Sequence, residues 1–346
     1  MKTLIKPAVL KEGDKVATIS LSWGGTSGLL DRYEQGKNNL QTIFGLRVVE
    51  TANALKPAEW IYKNPKARAE DLMEAFSDPS IKAIFTNIGG DDSIRTLPYL
   101  DLDVIRNNPK IFLGFSDSTI THFACYKAGL TSFYGTSLMV GFAEFGGMHS
   151  YQINDIKRTL FSSTPVGQIL PNQNGWTSEP LEWFAPPLLN TKRKLTENTR
   201  WNFLQGHGKV EGRLLGGCME VLELLKGTDY WPEKEEWKDC ILFLETSDET
   251  PKPDDFRRWL RNFAAQGILH RINGLILGRL CNSSFAEDYN KELLKIMAEE
   301  ERSNLPVITG MDFGHTCPTF TLPIGVTCEI DRNKKTVSLL ESGVHE

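Results

Sequence analysis

Short apolar runs alternate with amphipathic stretches along the first half of the chain. Residues 14–22 read as a strand that ends in the loop Trp23-Gly-Gly-Thr-Ser-Gly28, and residues 29–46 can form a helix before the short strand Arg47–Glu50. Asn64 can cap a helix with Pro65 at its first position; that helix runs to Ser77 on Ala69, Leu72, Met73 and Phe76. Ile81–Asn87 is a strand running into Gly89-Gly90, after which Asp91 or Asp92 can cap a helical stretch through Leu100. Ile111–Leu113 is the next apolar strand. A helical face of Ile120, Phe123, Ala124 and Ala128 follows it, stopped by Gly129, and Ser132 opens another strand. Strands separated by helices predict an α/β fold with a doubly wound parallel sheet, whose ligands sit at the C-terminal strand ends. The loops Trp23–Gly28, Gly89–Gly90 and Gly114–Ser118 all fall at such ends.

The pattern breaks after about Ser163. Pro165, Pro171, Pro180, Pro186 and Pro187, with Asn172, Asn174 and Gly175, interrupt regular structure up to Gln205. This predicts a connecting segment, and two readings of its Trp176, Trp183, Phe184 and Trp201 stay open: packing against both domains, or an aromatic presented to substrate. From Lys209 the pattern resumes with Val210–Gly217, a helix to Leu225, the apolar strand Cys240–Glu245, a helix over 254–266, strands at 272–277 and 307–309, and two alternating strands near the end. The expected organisation is an N-terminal domain over 1–162, a connecting segment over 163–208 and a smaller mixed α/β domain over 209–346.

Composition narrows the function. The chain has 346 residues, 40% hydrophobic and 24% charged, with a net charge of −5. That argues against a partner that is a nucleic-acid polymer, because no basic patch offers to neutralise phosphates. No apolar stretch approaches a membrane span, and the first residues lack a secretory h-region, so a cytoplasmic location is expected. The six cysteines (125, 218, 240, 281, 317 and 328) form no Cys-x-x-Cys pair and are expected to be free. His315 and Cys317 lie two apart, but nothing nearby completes a ligand set, so no metal is expected.

The candidate chemistry centres on Lys110-Ile-Phe-Leu-Gly-Phe-Ser-Asp-Ser-Thr119. A serine on a sharp strand-to-helix turn projects its hydroxyl clear of the backbone, with the Asp117 amide and the positive end of the helix beside it. The same pattern also describes an ordinary tight βα turn. A serine nucleophile needs a base and an acid to orient it. Among the six histidines, His122 reads as a packed helix residue, whereas His315 sits in a Gly-rich turn just after an apolar strand. Glu245 ends an apolar strand, where a carboxylate is costly unless paired or solvated. Gly89 and Gly90 would let a backbone amide approach a developing oxyanion.

Leu10-Lys-Glu-Gly-Asp-Lys-Val, Asn87-Ile-Gly-Gly, Gly114-Phe-Ser-Asp-Ser-Thr, Gly212-Arg-Leu-Leu-Gly-Gly, Leu242-Phe-Leu-Glu, Asp312-Phe-Gly-His-Thr and Leu322-Pro-Ile-Gly occur in this order. Together they resemble the LD-carboxypeptidase family of serine peptidases, which includes the microcin C self-immunity proteins. The resemblance implies a flavodoxin-like N-terminal domain carrying the nucleophile, a C-terminal domain carrying the acid and base, a homodimer, and no metal or other cofactor. It assigns Ser116 as nucleophile, Glu245 as orienting acid and His315 as base, with an oxyanion hole from Asp117 and Gly89 or Gly90.

Two activities occur in the family: release of the terminal D-alanine from murein tetrapeptide, and cleavage of the amide joining an amino acid to a nucleotide-like group. The long Trp-bearing segment, and Gly227-Thr-Asp-Tyr with Trp231, resemble the microcin-immunity branch, in which a tryptophan stacks on the nucleobase. Trp183, then Trp176, are the candidates here. The chain has Cys218 where the family usually has Asn, which bears on the substrate, since a thiol replaces neither the amide donors nor the carbonyl acceptor. The implied substrate is small: peptide-like, or an aminoacyl nucleotide. A two-domain ligand-binding protein and an α/β-hydrolase esterase are the competing readings. The second shares the chain order Ser, acid, His but lacks the Gly-x-Ser-x-Gly elbow.

Overall fold

The computed structural model describes residues 3–179, 190–197 and 200–346. Its first sheet contains β1 (Lys15–Ile19), β2 (Arg47–Glu50), β3 (Ile81–Thr86), β4 (Ile111–Gly114) and β5 (Phe133–Tyr134). These five strands run parallel in the order β5-β4-β3-β1-β2. β4 and the last four residues of β3 are buried, as strands covered by helices on both faces must be.

Two expected helix starts fall in place with different chemistry. The helix Pro65–Ser77 begins at the expected proline, but Asn64 does not cap it: the Asn64 side chain donates back to the Trp60 carbonyl at 2.8 Å. Asp92 precedes the 3₁₀ turn Ser93–Tyr99 without capping it, because its carboxylate accepts from buried Arg68 at 2.8 Å. A charged hydrogen bond outweighs a cap there.

The second sheet is mixed. Its strands are β6 (Gly167–Ile169), β7 (Asn202–Gln205), β8 (Lys209–Cys218), β9 (Cys240–Glu245), β10 (Gly274–Gly278), β11 (Val307–Met311), β13 (Thr327–Asp331) and β14 (Thr336–Leu339), in the order β6-β14-β13-β8-β9-β10-β11-β7. Both edges, β6 and β7, come from the Pro-rich stretch between the two halves of the sequence. β12 (Leu322–Pro323) pairs antiparallel with β5, so the C-terminal part of the chain adds an edge to the first sheet. A bridge between Ala8 and His345 also ties the two ends of the chain together.

This topology positions the site. β4 of the first sheet and β8, β9 and β11 of the second end toward one another. Buried apolar side chains on and around these strand ends, among them Phe115, Phe123, Tyr134, Leu214, Phe243 and Phe313, belong to one continuous core. Burial on this scale, at roughly 25 cal/mol per Å² of apolar surface, makes the junction a rigid floor for the polar groups above it.

Candidate active site

Ser116 sits where β4 turns into the helix Thr119–Ala128. Its φ is +59°, a left-handed conformation rarely adopted by a non-glycine residue. The strain is held from several sides. Thr119 Oγ1 donates to the Ser116 carbonyl at 2.7 Å, and the Ser116 amide donates to the Tyr134 hydroxyl at 3.1 Å. Below, buried His122 lies 2.9 Å by Nε2 from the Gly114 carbonyl and 2.8 Å by Nδ1 from Ser132 Oγ. The carbonyl can only accept, so Nε2 carries the proton and Nδ1 accepts from Ser132. Burial pushes the His122 pKa down to about 4 despite the Gly114 contact. His122 is therefore a neutral strut beneath the turn.

His315 arrives from the loop after β11, with Nε2 2.9 Å from Ser116 Oγ. Its Nδ1 lies 2.6 Å from Glu245 Oε2 at the end of β9. Glu245 is completely buried; its second oxygen, Oε1, accepts from the Tyr134 hydroxyl. Gly314 makes the approach of His315 to Glu245 possible. With φ at +95°, a Cβ there would stand 2.7 Å from Glu245 Oε2. The loop itself is anchored by buried Asp312, which accepts from Trp201 Nε1 at 2.8 Å, the Asn172 amide at 3.1 Å and Arg279 at 2.8 Å. Trp201 thus packs and anchors.

Burial works to lower the His315 pKa. The charge of Glu245 and its hydrogen bond oppose it, Asp248 and Glu220 add to them, and the balance lies at about 9.

The glycine pair after β3 lies against the serine. A Cβ on Gly89 would stand 2.9 Å from Ser116 Cβ, 3.0 Å from its Oγ and 3.4 Å from the Asp117 amide nitrogen. The Gly89 carbonyl accepts from the Trp23 amide at 3.1 Å, on the β1 side. Asp117 is anchored by Ser93, whose amide donates to Oδ2 at 2.8 Å and whose hydroxyl donates to the Asp117 carbonyl at 2.9 Å. Its buried carboxyl is shifted upward by desolvation.

The cleft has two arms that meet at His315, Phe115, Val140 and Asp248. One, of about 510 Å³, contains Ser116, Gly89, Gly90, Trp23 and Cys218. The other, of about 270 Å³, is lined by Thr136, Gln152, Glu179, Arg193 and Thr316. Cys218 is buried and lines the same arm as Ser116; its amide donates to Thr119 Oγ1 at 3.2 Å and its thiol to Glu220 at 3.3 Å.

Trp176 lies elsewhere. It pairs with Thr196, its ring faces the Arg279 guanidinium at 5.0 Å, and it lines a separate cavity of about 270 Å³. The structure does not bring it to the Ser116 cleft, because the bridge to Thr196 holds it behind the Asp312 anchor. Trp183 lies outside the described residues.

Among the described residues, one cluster has metal-ligand chemistry: Glu144, His149 and Cys317, with ligand atoms within 4.8 Å of one another. Arg193 already occupies the Glu144 carboxylate with two hydrogen bonds of 2.8 and 2.6 Å. A guanidinium in that place repels a second cation, so the cluster reads as an ion pair bracing the smaller arm.

A hydroxyl, imidazole and carboxylate in sequence, at the end of a parallel strand and beside free-standing glycine amides, is the equipment of a serine hydrolase. Sequence comparison gives the family. Residues 16–135 match the LD-carboxypeptidase N-terminal domain and residues 211–330 the LD-carboxypeptidase C-terminal domain, and the chain belongs to this family of serine peptidases. It is 30% identical over 341 residues to the microcin C7 self-immunity protein MccF of Escherichia coli, spanning 96% of this chain and 95% of that one. The crystal structure of an MccF-like protein from Streptococcus pneumoniae in complex with AMP superposes with a TM-score of 0.86 at 34% identity, covering 94% of this chain and 98% of that one. MccF in complex with aspartyl sulfamoyl adenosine gives a TM-score of 0.83 at 28% identity, with coverage of 99% and 100%.

Sequence reasoning missed Glu220, Asp248 and Arg193 as lining of the cleft, and Tyr134 as the buried partner shared by Ser116 and Glu245. Tyr134 carried a signal, since Ser132-Phe-Tyr134 is a strand adjoining the one before Ser116. Glu220 and Asp248 carried one too, since they follow Cys218 and Glu245 closely in the sequence; Arg193 carried none, because it comes from a stretch that sequence leaves remote from the serine.

Proposed function

We propose that this chain is a serine amidase with a Ser116-Glu245-His315 triad that cleaves the amide bond between an amino acid and a nucleotide-like group. The observation that carries the reading is the hydrogen-bonded line from Ser116 Oγ through His315 to Glu245, at 2.9 and 2.6 Å, laid across the junction of two cleft arms. His315 Nε2 takes the Ser116 proton as Oγ attacks the carbonyl carbon. The amides of Asp117 and Gly90, with Gly89 alongside, bind the oxyanion. The tetrahedral intermediate collapses as His315 passes the proton to the leaving nitrogen. Water, deprotonated by the same imidazole, then releases the acyl group and regenerates Ser116. Glu245 keeps Nδ1 protonated and balances the transient imidazolium.

The nucleotide side of the reading is supported by the ligands of the two similar structures, AMP and aspartyl sulfamoyl adenosine. Their presence there gives the second arm a use, as the place of a large leaving group. Cytoplasmic location and homodimerisation belong to the same proposal; no helix among the described residues is long and apolar enough to cross a membrane.

The test is to incubate the protein with an aminoacyl sulfamoyl adenosine and, separately, with murein tetrapeptide, and to follow both by mass spectrometry. Release of sulfamoyl adenosine supports the reading. Release of D-alanine alone replaces it with cell-wall recycling, and tight binding without turnover of either replaces it with a ligand-binding role. Ser116→Ala should abolish turnover with an almost unchanged melting temperature; ordinary turnover by that variant rejects the mechanism.

A further inference from the structure

The two arms of the cleft differ in charge. The arm holding Ser116, Gly89 and Gly90 is lined by Asp91, Glu220, Asp248 and Glu249, and no Lys or Arg is among its lining residues. The four acids come from three strand ends. Asp91 follows the glycine pair after β3, Glu220 lies in the first turn after β8, and Asp248 and Glu249 lie in the loop after β9. None of the four makes an ion pair with a Lys or Arg among the described residues. Glu220 is held in place by the Ser247 amide at 2.8 Å and the Cys218 thiol. Part of the wall is apolar, from Trp23, Ile88, Val221 and Leu224.

Like charges around one cavity repel unless something of opposite charge enters it. The occupant is not a metal ion, since no three of these carboxylates converge closely enough to ligate one among the described residues. Spread carboxylates over an apolar wall suit a longer organic cation, whose stem packs while its head meets the acids. The field reaches the reacting groups, because Asp248 and Glu220 both act on the charge of His315.

Chemistry says which half of the substrate lies here. The leaving nitrogen must receive its proton from His315, which borders both arms. The acyl carbon must stand beside Ser116 and the Gly89-Gly90 amides, which line only the acidic arm. We infer that the acyl residue whose carbonyl Ser116 attacks carries a cationic side chain, an ammonium or guanidinium, received by Asp91, Glu220, Asp248 and Glu249. The inference rests on the amidase reading above and adds the class of acyl group.

Three compounds isolate the side chain: lysyl, norleucyl and glutamyl sulfamoyl adenosine. All share the α-ammonium and the leaving group, so only side-chain charge differs. Turnover by the wild type and dissociation constants for Ser116→Ala are measured on each. The expected order is lysyl, norleucyl, glutamyl, with about tenfold between the first two, the size of one or two partly screened ion pairs. The lysyl-to-norleucyl ratio should fall toward one in the double variant Asp248→Asn, Glu249→Gln, and should shrink at high salt. Equal affinities, or a preference for glutamyl, overturn the inference whether or not turnover occurs. Absence of turnover on all three, with the affinity order intact in Ser116→Ala, removes the amidase reading and leaves the cationic pocket standing.

Discussion

The Tyr134 hydroxyl donates to Glu245 Oε1 while accepting from the Ser116 amide. One buried phenol on β5 therefore joins the turn that carries the proposed nucleophile to the acid that orients the proposed base. It comes from the first sheet, whereas Glu245 comes from the second. The hydroxyl thus also registers the two sheets against each other at the place where the chemistry would occur.

Tyr134→Phe keeps the ring and its packing but strips Glu245 Oε1 of its donor. Leaving a buried carboxylate oxygen unpaired costs about 1–3 kcal/mol. On the proposed mechanism kcat should fall roughly tenfold to a hundredfold with KM nearly unchanged. The pH midpoint of kcat/KM should rise, because a carboxylate with one donor fewer holds the His315 proton more tightly. Steady-state kinetics across pH checks both. An unchanged kcat and midpoint would reduce Tyr134 to packing.

His315 must be neutral to accept a proton, and its pKa stands at about 9. The kcat/KM of the free enzyme should therefore climb with pH through neutrality, reach half its maximum near 9 and level off above that. Asp248→Asn removes one of the charges that raise it and should move the rising limb to lower pH. The same shift links to stability with a definite sign. The folded pKa lies above the unfolded value near 6.5, so the contribution is complete below 6.5 and disappears as pH rises through about 9.

Gly89→Ala puts a methyl group 2.9 Å from Ser116 Cβ and 3.0 Å from its Oγ. The serine or the loop must shift, and the amides proposed for the oxyanion shift with it. A loss of about a hundredfold in kcat is expected, the scale of one lost oxyanion donor, with a small change in melting temperature. Wild-type kinetics from this variant would dismiss the glycine pair as catalytic equipment.

His122 gives an acid-stability prediction. Burial holds its folded pKa at about 4, whereas the unfolded chain protonates near 6.5. The unfolded state gains the proton first, so stability falls as the pH is lowered through 6.5 toward 4. Between pH 7 and 5 the loss from this group is about 2 kcal/mol. Urea denaturation of the wild type and of His122→Gln at both pH values should show that much less dependence in the variant.

Much of the fold was legible because its signals are local. The apolar runs at Ile81–Thr86, Ile111–Leu113 and Cys240–Glu245 are short, bounded by turn residues and buried, and each is a strand. Gly129 stops its helix where the sequence says it should. Capping was less legible, since Asn64 and Asp92 were drawn to partners that only the folded chain brings near. The Pro-rich stretch read as a connection, yet β6 and β7 within it edge the second sheet. Edge strands carry little hydrophobic signal because one side meets no neighbour.

By itself the sequence determined the parallel first sheet, the turn that carries Ser116 and the family. It also singled out Glu245 and His315, because each stands in a motif whose residue types and order survive without coordinates. Only the tertiary structure decided that these groups meet, that Trp176 faces away from them, that Tyr134 joins them, and that four carboxylates surround one arm of the cleft. The physical reason is distance along the chain. Ser116 and His315 are 199 residues apart, and what falls between the ends of strands from two sheets is set by how the sheets pack, a property no local pattern contains.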